Sequence, residues 1–195
     1  MIWLQQSIET IIKQVWEEDM VKDFLNRKII WYESTLVACF YYNLRKRIEK
    51  DPGLSSVYRI FLEHSHPKIT GNHFDIVIKK LDNEDKWEKV QLWKKDVGHI
   101  VVAMEFKPWD EVDYKTNKRL IEDWKNDLKK LASLEQVSGS QTELLYFFYT
   151  SSKELPDEFF KDIGDSWFKS RLRIGKGIFD YPYEPKKPTF EIDRL

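Results

Sequence analysis

The chain has 195 residues, of which 42% are hydrophobic and 33% charged, with a formal net charge of -1. That composition excludes a disordered chain and fits one globular domain large enough to bury a sizeable core. The even charge balance excludes a generally basic, nucleic-acid-coating surface, so any contact with nucleic acid has to come from a local patch.

Cys39 is the sole cysteine, which rules out an internal disulfide framework and suits a reducing interior. It lies in an apolar helical run and reads as a core residue rather than a nucleophile. The first residues, MIWLQQSIET, lack a basic stretch followed by an apolar one, and no run approaches a membrane span. The expectation is a cytoplasmic protein that crosses no membrane, folded as a single domain over 1–195.

In chain order, Ile8, Ile11, Ile12, Val15 and Trp16 keep the spacing of an amphipathic helix, expected to end near Asp19 or Met20. A second helix fits Trp31 to Lys50 and stops at Pro52-Gly53. Its stripe is Leu36, Val37, Phe40, Tyr41, Leu44 and Ile48, and counting back by three and four lands on Glu33. The first acid of that helix is therefore expected on the face turned to the core, although an acid near a helix N-terminus is also favoured by the macrodipole.

Val57 to Leu62 and His73 to Leu81 read as strands, with Phe74, Ile76 and Ile78 on one face of the second and His73, Asp75, Val77 and Lys79 on the other. Trp87 to Trp93 is a possible further strand. His99 to Lys107, HIVVAMEFK, is a β-branched, apolar strand stopped by Pro108, with Val101, Ala103, Glu105 and Lys107 on one face. A helix over Asn117 to Leu131 follows, with Ile121, Trp124, Leu128 and Leu131 inward, and then the strand Glu143 to Thr150. Pro156 to about Lys169 reads as a helix, and the stretch after Gly175, with Pro182, Pro185 and Pro188, as extended packing.

Strands joined by turns pair antiparallel, whereas the strand–helix–strand step from 99 to 150 calls for a parallel pair. An α/β fold with a mixed central sheet, helices on both faces and extra helices at each end follows.

An acid and a lysine two residues apart is a common pattern here: Glu84/Lys86, Glu184/Lys186, Asp113/Lys115, Asp123/Lys125 and Asp127/Lys129 all fit solvated turns, helices or tail. Glu105/Lys107 alone ends an apolar strand, where charges are costly to bury unless they are paired or bound to a metal. Asp75 and inward-facing Glu33 bring further acids towards the same edge. Carboxylate oxygens are hard ligands suited to Mg²⁺ or Mn²⁺, which keep several waters and bridge to phosphate. Such an ion polarises a phosphoryl oxygen and lowers the pKa of a bound water, and Lys107 beside it is placed to orient water or neutralise charge, the chemistry of phosphodiester hydrolysis. A buried ion pair without catalysis is the plainer alternative.

The order of helix Glu33, strand Asp75 and strand Glu105-Phe106-Lys107 resembles the PD-(D/E)XK nuclease superfamily, the restriction-endonuclease-like fold, over about residues 31–150. The resemblance implies an αβββαβ core and Mg²⁺-dependent cleavage of nucleic acid, usually DNA. It implies that Asp75 and Glu105 bind the metal with the carbonyl of Phe106, that Glu33 is an accessory ligand, and that Lys107 is the catalytic lysine. Phe74 departs from the pattern, standing where the family carries proline. Similar nucleases place a basic residue of the following helix beside the site, which makes Lys125 a candidate. Lys118 and Arg119, with Lys115, and the run Arg171, Arg173 and Lys176 are candidates for phosphate contact.

His64, His66 and His73 do not make a zinc site, for want of further ligands at a defined spacing; His73 is expected instead beside the metal ligands. The alternative from another class is a non-catalytic nucleic-acid-binding or protein-interaction module that keeps the fold. The tryptophans Trp87, Trp93 and Trp109 suggest a partner surface, for a homodimer or a larger assembly.

Overall fold

The computed structural model describes residues 2–27, 32–65, 73–80, 98–108, 118–138, 142–151, 154–161, 163–178 and 188–194. Six strands form one mixed sheet in chain order: β1 (Tyr58–Ser65), β2 (His73–Lys80), β3 (His99–Lys107), β4 (Leu144–Ser151), β5 (Leu172–Ile178) and β6 (Thr189–Arg194). The first three run antiparallel to one another, β3, β4 and β5 are parallel, and β6 returns antiparallel. The parallel step between β3 and β4 is the one expected, bridged by helix α5 (Lys118–Ser138).

One face of the sheet is covered by α1 (Ile2–Gln14), α2 (Met20–Arg27) and α3 (Glu33–Glu49). Leu36, Phe40, Leu44 and Ile48 of α3 pack there on Ile76, Ile78, Val102, Met104 and Phe106. On the other face Trp124, Leu128, Leu131 and Leu134 of α5 pack on Val77, Ala103, Leu145 and Phe147, together with the short helix α6 (Ser166–Arg171). No helix among the described residues is long and apolar enough to cross a membrane.

Several local expectations are corrected. The first helix does not stop at Met20 but continues through a π turn over Val15–Asp19 into α2. That wide turn seats the buried ring of Trp16 against Phe148 (centroids 4.5 Å apart) and Phe190 (5.0 Å). Pro52-Gly53 breaks one helix and starts another, α4 (Pro52–Val57), because Asp51 caps the amides of Gly53 and Leu54 at 2.9 and 3.2 Å and proline suits a first helical turn. Val57 therefore ends a helix instead of opening β1.

The expected helix from Pro156 to Lys169 is instead a 3₁₀ turn over Asp157–Phe159 followed by α6. Gly164 separates them at a φ of 69°, and a Cβ there would overlap the Phe168 ring. The stretch after Gly175, expected as extended packing, supplies the end of β5 and the whole of β6, and β5 itself, begun at Leu172, is not among the expected strands. The possible strand at Trp87–Trp93 and the partner surface expected around Trp87, Trp93 and Trp109 lie outside the described residues.

Two side chains change face. Ile78 pairs with Val102 but Lys79 pairs with Ile100, so Val101 is an extra residue at a bulge and packs towards α3 instead of sharing a face with Ala103. Beyond the bulge, alternation holds from Val102 to Lys107. Phe74 likewise leaves the face of Ile76 and Ile78 and joins the α5 cluster.

Candidate active site

The site is built at the C-terminal end of β3. Ala103 packs against α5, and alternation then sends Glu105 and Lys107 to that same face. Both are buried, Glu105 at 1% exposure and Lys107 at 9%. Ionised groups so far from water need partners, and the partners come from three other elements.

Asp75 is the first. The β2–β3 register runs through Val77↔Ala103 and Ile76↔Met104. Next along, the Asp75 carboxylate accepts the Phe106 amide at 2.7 Å, a side chain taking the place of a backbone rung. This departure from the ladder accompanies the turning of Phe74 towards α5, and it brings Asp75 near Glu105 and Lys107.

Helix α5 provides the second set. Asp127 and Lys130 lie three apart on one helix face, each one residue before a core leucine of the inward stripe. Lys107 Nζ is 2.7 Å from Asp127 Oδ2. Lys130 Nζ is 2.7 Å from Glu105 Oε1 and 3.1 Å from Asp127 Oδ1, and it donates to the His73 carbonyl at 2.7 Å. It also stands 5.6 Å above the centre of the Phe74 ring. Glu33 completes the group from the first turn of α3, its Oε2 3.5 Å from Lys107 Nζ while its side chain stays 45% exposed.

The predicted residues Glu33, Asp75, Glu105 and Lys107 are thus brought together. Lys125 is not with them: its ammonium stands 5.8 Å over the Phe159 ring, and the basic residue of α5 beside the cluster is Lys130. Asp127, which by sequence belongs to a solvated acid-lysine pair, is a central member. Arg119 is exposed. His73 is also exposed, its Nδ1 3.1 Å from the Glu63 carbonyl, and it meets the cluster through its backbone. Arg171, Arg173 and Lys176 are separated: Arg171 stacks over Trp167 at 4.4 Å, Arg173 pairs with Glu9 at 2.9 Å and Lys176 with Asp193 at 2.8 Å.

Burial drives the electrostatics. It raises the Asp75 carboxyl to about 6, against the lowering influence of the Phe106 amide and Lys107. Burial, with the Asp75 charge next, pushes Glu105 well above its ordinary value, although Lys130 opposes this. For Lys107 burial alone would favour the neutral amine, but Asp127, Glu33 and Asp75 together reverse that and hold the ammonium above its usual range.

Four carboxylates, Glu33, Asp75, Glu105 and Asp127, therefore face two ammonium groups, Lys107 and Lys130. Fully ionised, the cluster carries a surplus of two negative charges, the amount one divalent ion neutralises. Among the described residues no group of three or more His, Cys, Asp or Glu side chains is gathered to hold a metal ion. The donor chemistry still fits Mg²⁺, which is commonly bound through only one or two carboxylates, with waters and substrate phosphate completing its shell.

Fold and site together define a mixed α/β domain with a buried, net-acidic charge cluster at one end of its sheet. Comparison with protein-family models, with curated proteins and with solved structures finds no match to this chain.

Proposed function

We propose that this chain is a Mg²⁺- or Mn²⁺-dependent nuclease of the PD-(D/E)XK type that hydrolyses phosphodiester bonds in nucleic acid, with DNA as the substrate and the cytoplasm as its compartment. One observation carries the reading: Glu105 and Lys107 lie buried on one face at the end of β3, beside an Asp75 carboxylate held on the Phe106 amide. A strand buried this deeply has no structural need of an acid and a base at that position.

Asp75 and Glu105 are the residues that would hold the ion, with the Phe106 carbonyl and Glu33 as accessory donors. The ion supplies Lewis-acid polarisation of the phosphoryl oxygen and a bound water of lowered pKa. Lys107 stays protonated, because its acidic neighbours hold it so. Its role is therefore to orient the attacking water and to neutralise charge at phosphorus, and a base role does not fit it. Asp127 and Glu33 position that ammonium, and Lys130 holds Glu105 in place. Lys118 and Arg119, at the start of α5, are proposed phosphate contacts.

A panel of linear, circular and single-stranded DNA and RNA, incubated with Mg²⁺ or Mn²⁺, tests this. Cleavage of at least one substrate is expected, and loss of it with EDTA, Asp75→Ala or Lys107→Ala. Cleavage that survives Lys107→Ala removes that residue from the mechanism, and no cleavage of any substrate with either ion overturns the proposal.

A second reading, a non-catalytic binding module, draws on the pairing of Lys107 with Asp127 and of Lys130 with Glu105 at 2.7 Å each, which satisfies much of the cluster without a ligand. Calorimetry that shows no uptake of a divalent ion favours it.

A further inference from the structure

On the face of the sheet opposite Glu105 and Lys107, a cavity of about 420 Å³ opens between α1 and the β4–β5–β6 half of the sheet. Its floor is a cross-strand row. Tyr146 of β4 is in register with Arg173 of β5, and Arg173 with Arg194 of β6. Glu9 and Lys13 of α1 form the other wall.

Two features are unusual for a structural void. Tyr146 is fully buried, yet its hydroxyl has no hydrogen-bond partner among the described residues. Leaving a buried hydroxyl unpaired is costly, so such groups normally find a partner. Tyr146 lines this cavity; burial, and then the Glu9 charge, keep its hydroxyl protonated and its pKa above the ordinary value, while Arg173 and Arg194 pull the other way.

Arg173 is also buried, at 8% exposure. Glu9 takes its Nε at 2.9 Å, and the carbonyls of Ser170 and Leu172 take Nη1 at 3.1 and 3.2 Å. No bond among the described residues uses Nη2. Three cations, Lys13, Arg173 and Arg194, line the cavity with the carboxylate Glu9, which fixes the orientation of Arg173, while Lys13 is also paired with Glu17 at 3.7 Å.

We infer that this cavity is a second ligand site, specific for a phosphate-type oxyanion, with Arg173, Arg194 and Lys13 supplying the charge and the Tyr146 hydroxyl a directed hydrogen bond. Donors arriving from both walls suit a tetrahedral anion better than a planar carboxylate, and guanidinium groups match phosphate oxygens in geometry. The volume leaves room for a group carrying the phosphate, since small-molecule pockets run from about 300 to 1,000 Å³. The site is separate from the proposed catalytic cluster and does not depend on nuclease activity.

Titration calorimetry of the full chain with inorganic phosphate, with thymidine 5′-monophosphate and with thymidine tests the inference. Saturable binding of a phosphate-bearing probe and none of thymidine is expected. Equal affinity for the first two identifies free phosphate as the ligand, whereas tighter binding of the nucleotide identifies a nucleotide phosphate. Tyr146→Phe is expected to weaken binding about 10-fold, the loss of one good hydrogen bond, with a melting temperature equal to or above that of the wild type. Arg194→Gln, on a side chain 75% exposed, does not threaten the fold and is expected to weaken binding by a similar factor. Absence of saturable phosphate binding overturns the inference, as does wild-type affinity in both variants.

Discussion

Lys130 carries more of the site than its place in a run of polar helix residues suggests. Its ammonium is the close partner of Glu105, both side chains being less than a tenth exposed. Removing one member of such a pair leaves the other charge stranded, so Lys130→Met is expected to lower stability by on the order of 3 kcal/mol in chemical denaturation. The double variant Lys130→Met/Glu105→Gln should recover a good part of that loss. Lys125→Met, on the same helix but over the Phe159 ring, should cost less than about 1 kcal/mol. A smaller loss for Lys130 than for Lys125 contradicts the assignment. Sequence patterning found Glu105 and Lys107 because they interrupt an apolar strand. It passed over Asp127 and Lys130 because apolar periodicity marks only the apolar stripe of a helix, and charges at its edge look like the solvated side. The available signal was phase: both immediately precede core leucines.

At the scale of elements, β5 shows how packing overrules a weak pattern. Its sequence, LRIGKGI, has two glycines and two cations, which is poor material for a strand. Gly175 is nevertheless in register with Phe148, and a Cβ at Gly175 would overlap that ring. Gly175→Ala is therefore expected to destabilise the protein by about 1–3 kcal/mol, the usual consequence of overpacking, and Gly175→Ala/Phe148→Leu to regain part of it. Thermal melts of the two variants decide this, and an unchanged melting temperature in the single variant refutes the close approach. The long apolar strands β3 and β4 and the stripes of α3 and α5 were legible in the sequence because each buries a regular face. The strands β5 and β6 were not, since their place depends on partners distant in the chain. The bulge at Val101 was equally hidden: it lies in the pairing of Ile78 and Lys79 with β3, which no single strand records.

For the whole molecule, the acidic surplus at the end of the sheet couples folding to pH, and the divalent ion proposed above would act on the same groups. Asp75 loses its proton near its ordinary value of 3.8 in the unfolded chain and near 6 in the folded protein. Between those values the folded form binds the extra proton, so the stability of the metal-free protein falls as pH rises through that window. The contribution of Asp75 is on the order of 2–3 kcal/mol. Glu105, raised by the same burial, extends the decline to higher pH. The lysines do not oppose this near neutrality: Lys107 and Lys130, raised from 10.5, contribute stability that is fully present below that value and is lost only at strongly alkaline pH. The proposed divalent ion would compete with protons for the same carboxylates, so its stabilising effect should grow as they ionise. Melting temperatures with and without Mg²⁺, taken at pH 5 and pH 8, are expected to differ more at pH 8, and Asp75→Asn should flatten the decline of the metal-free protein below pH 6. A Mg²⁺ shift of equal size at both pH values separates the acidic cluster from metal binding. A decline unaltered in Asp75→Asn assigns the pH dependence to other groups.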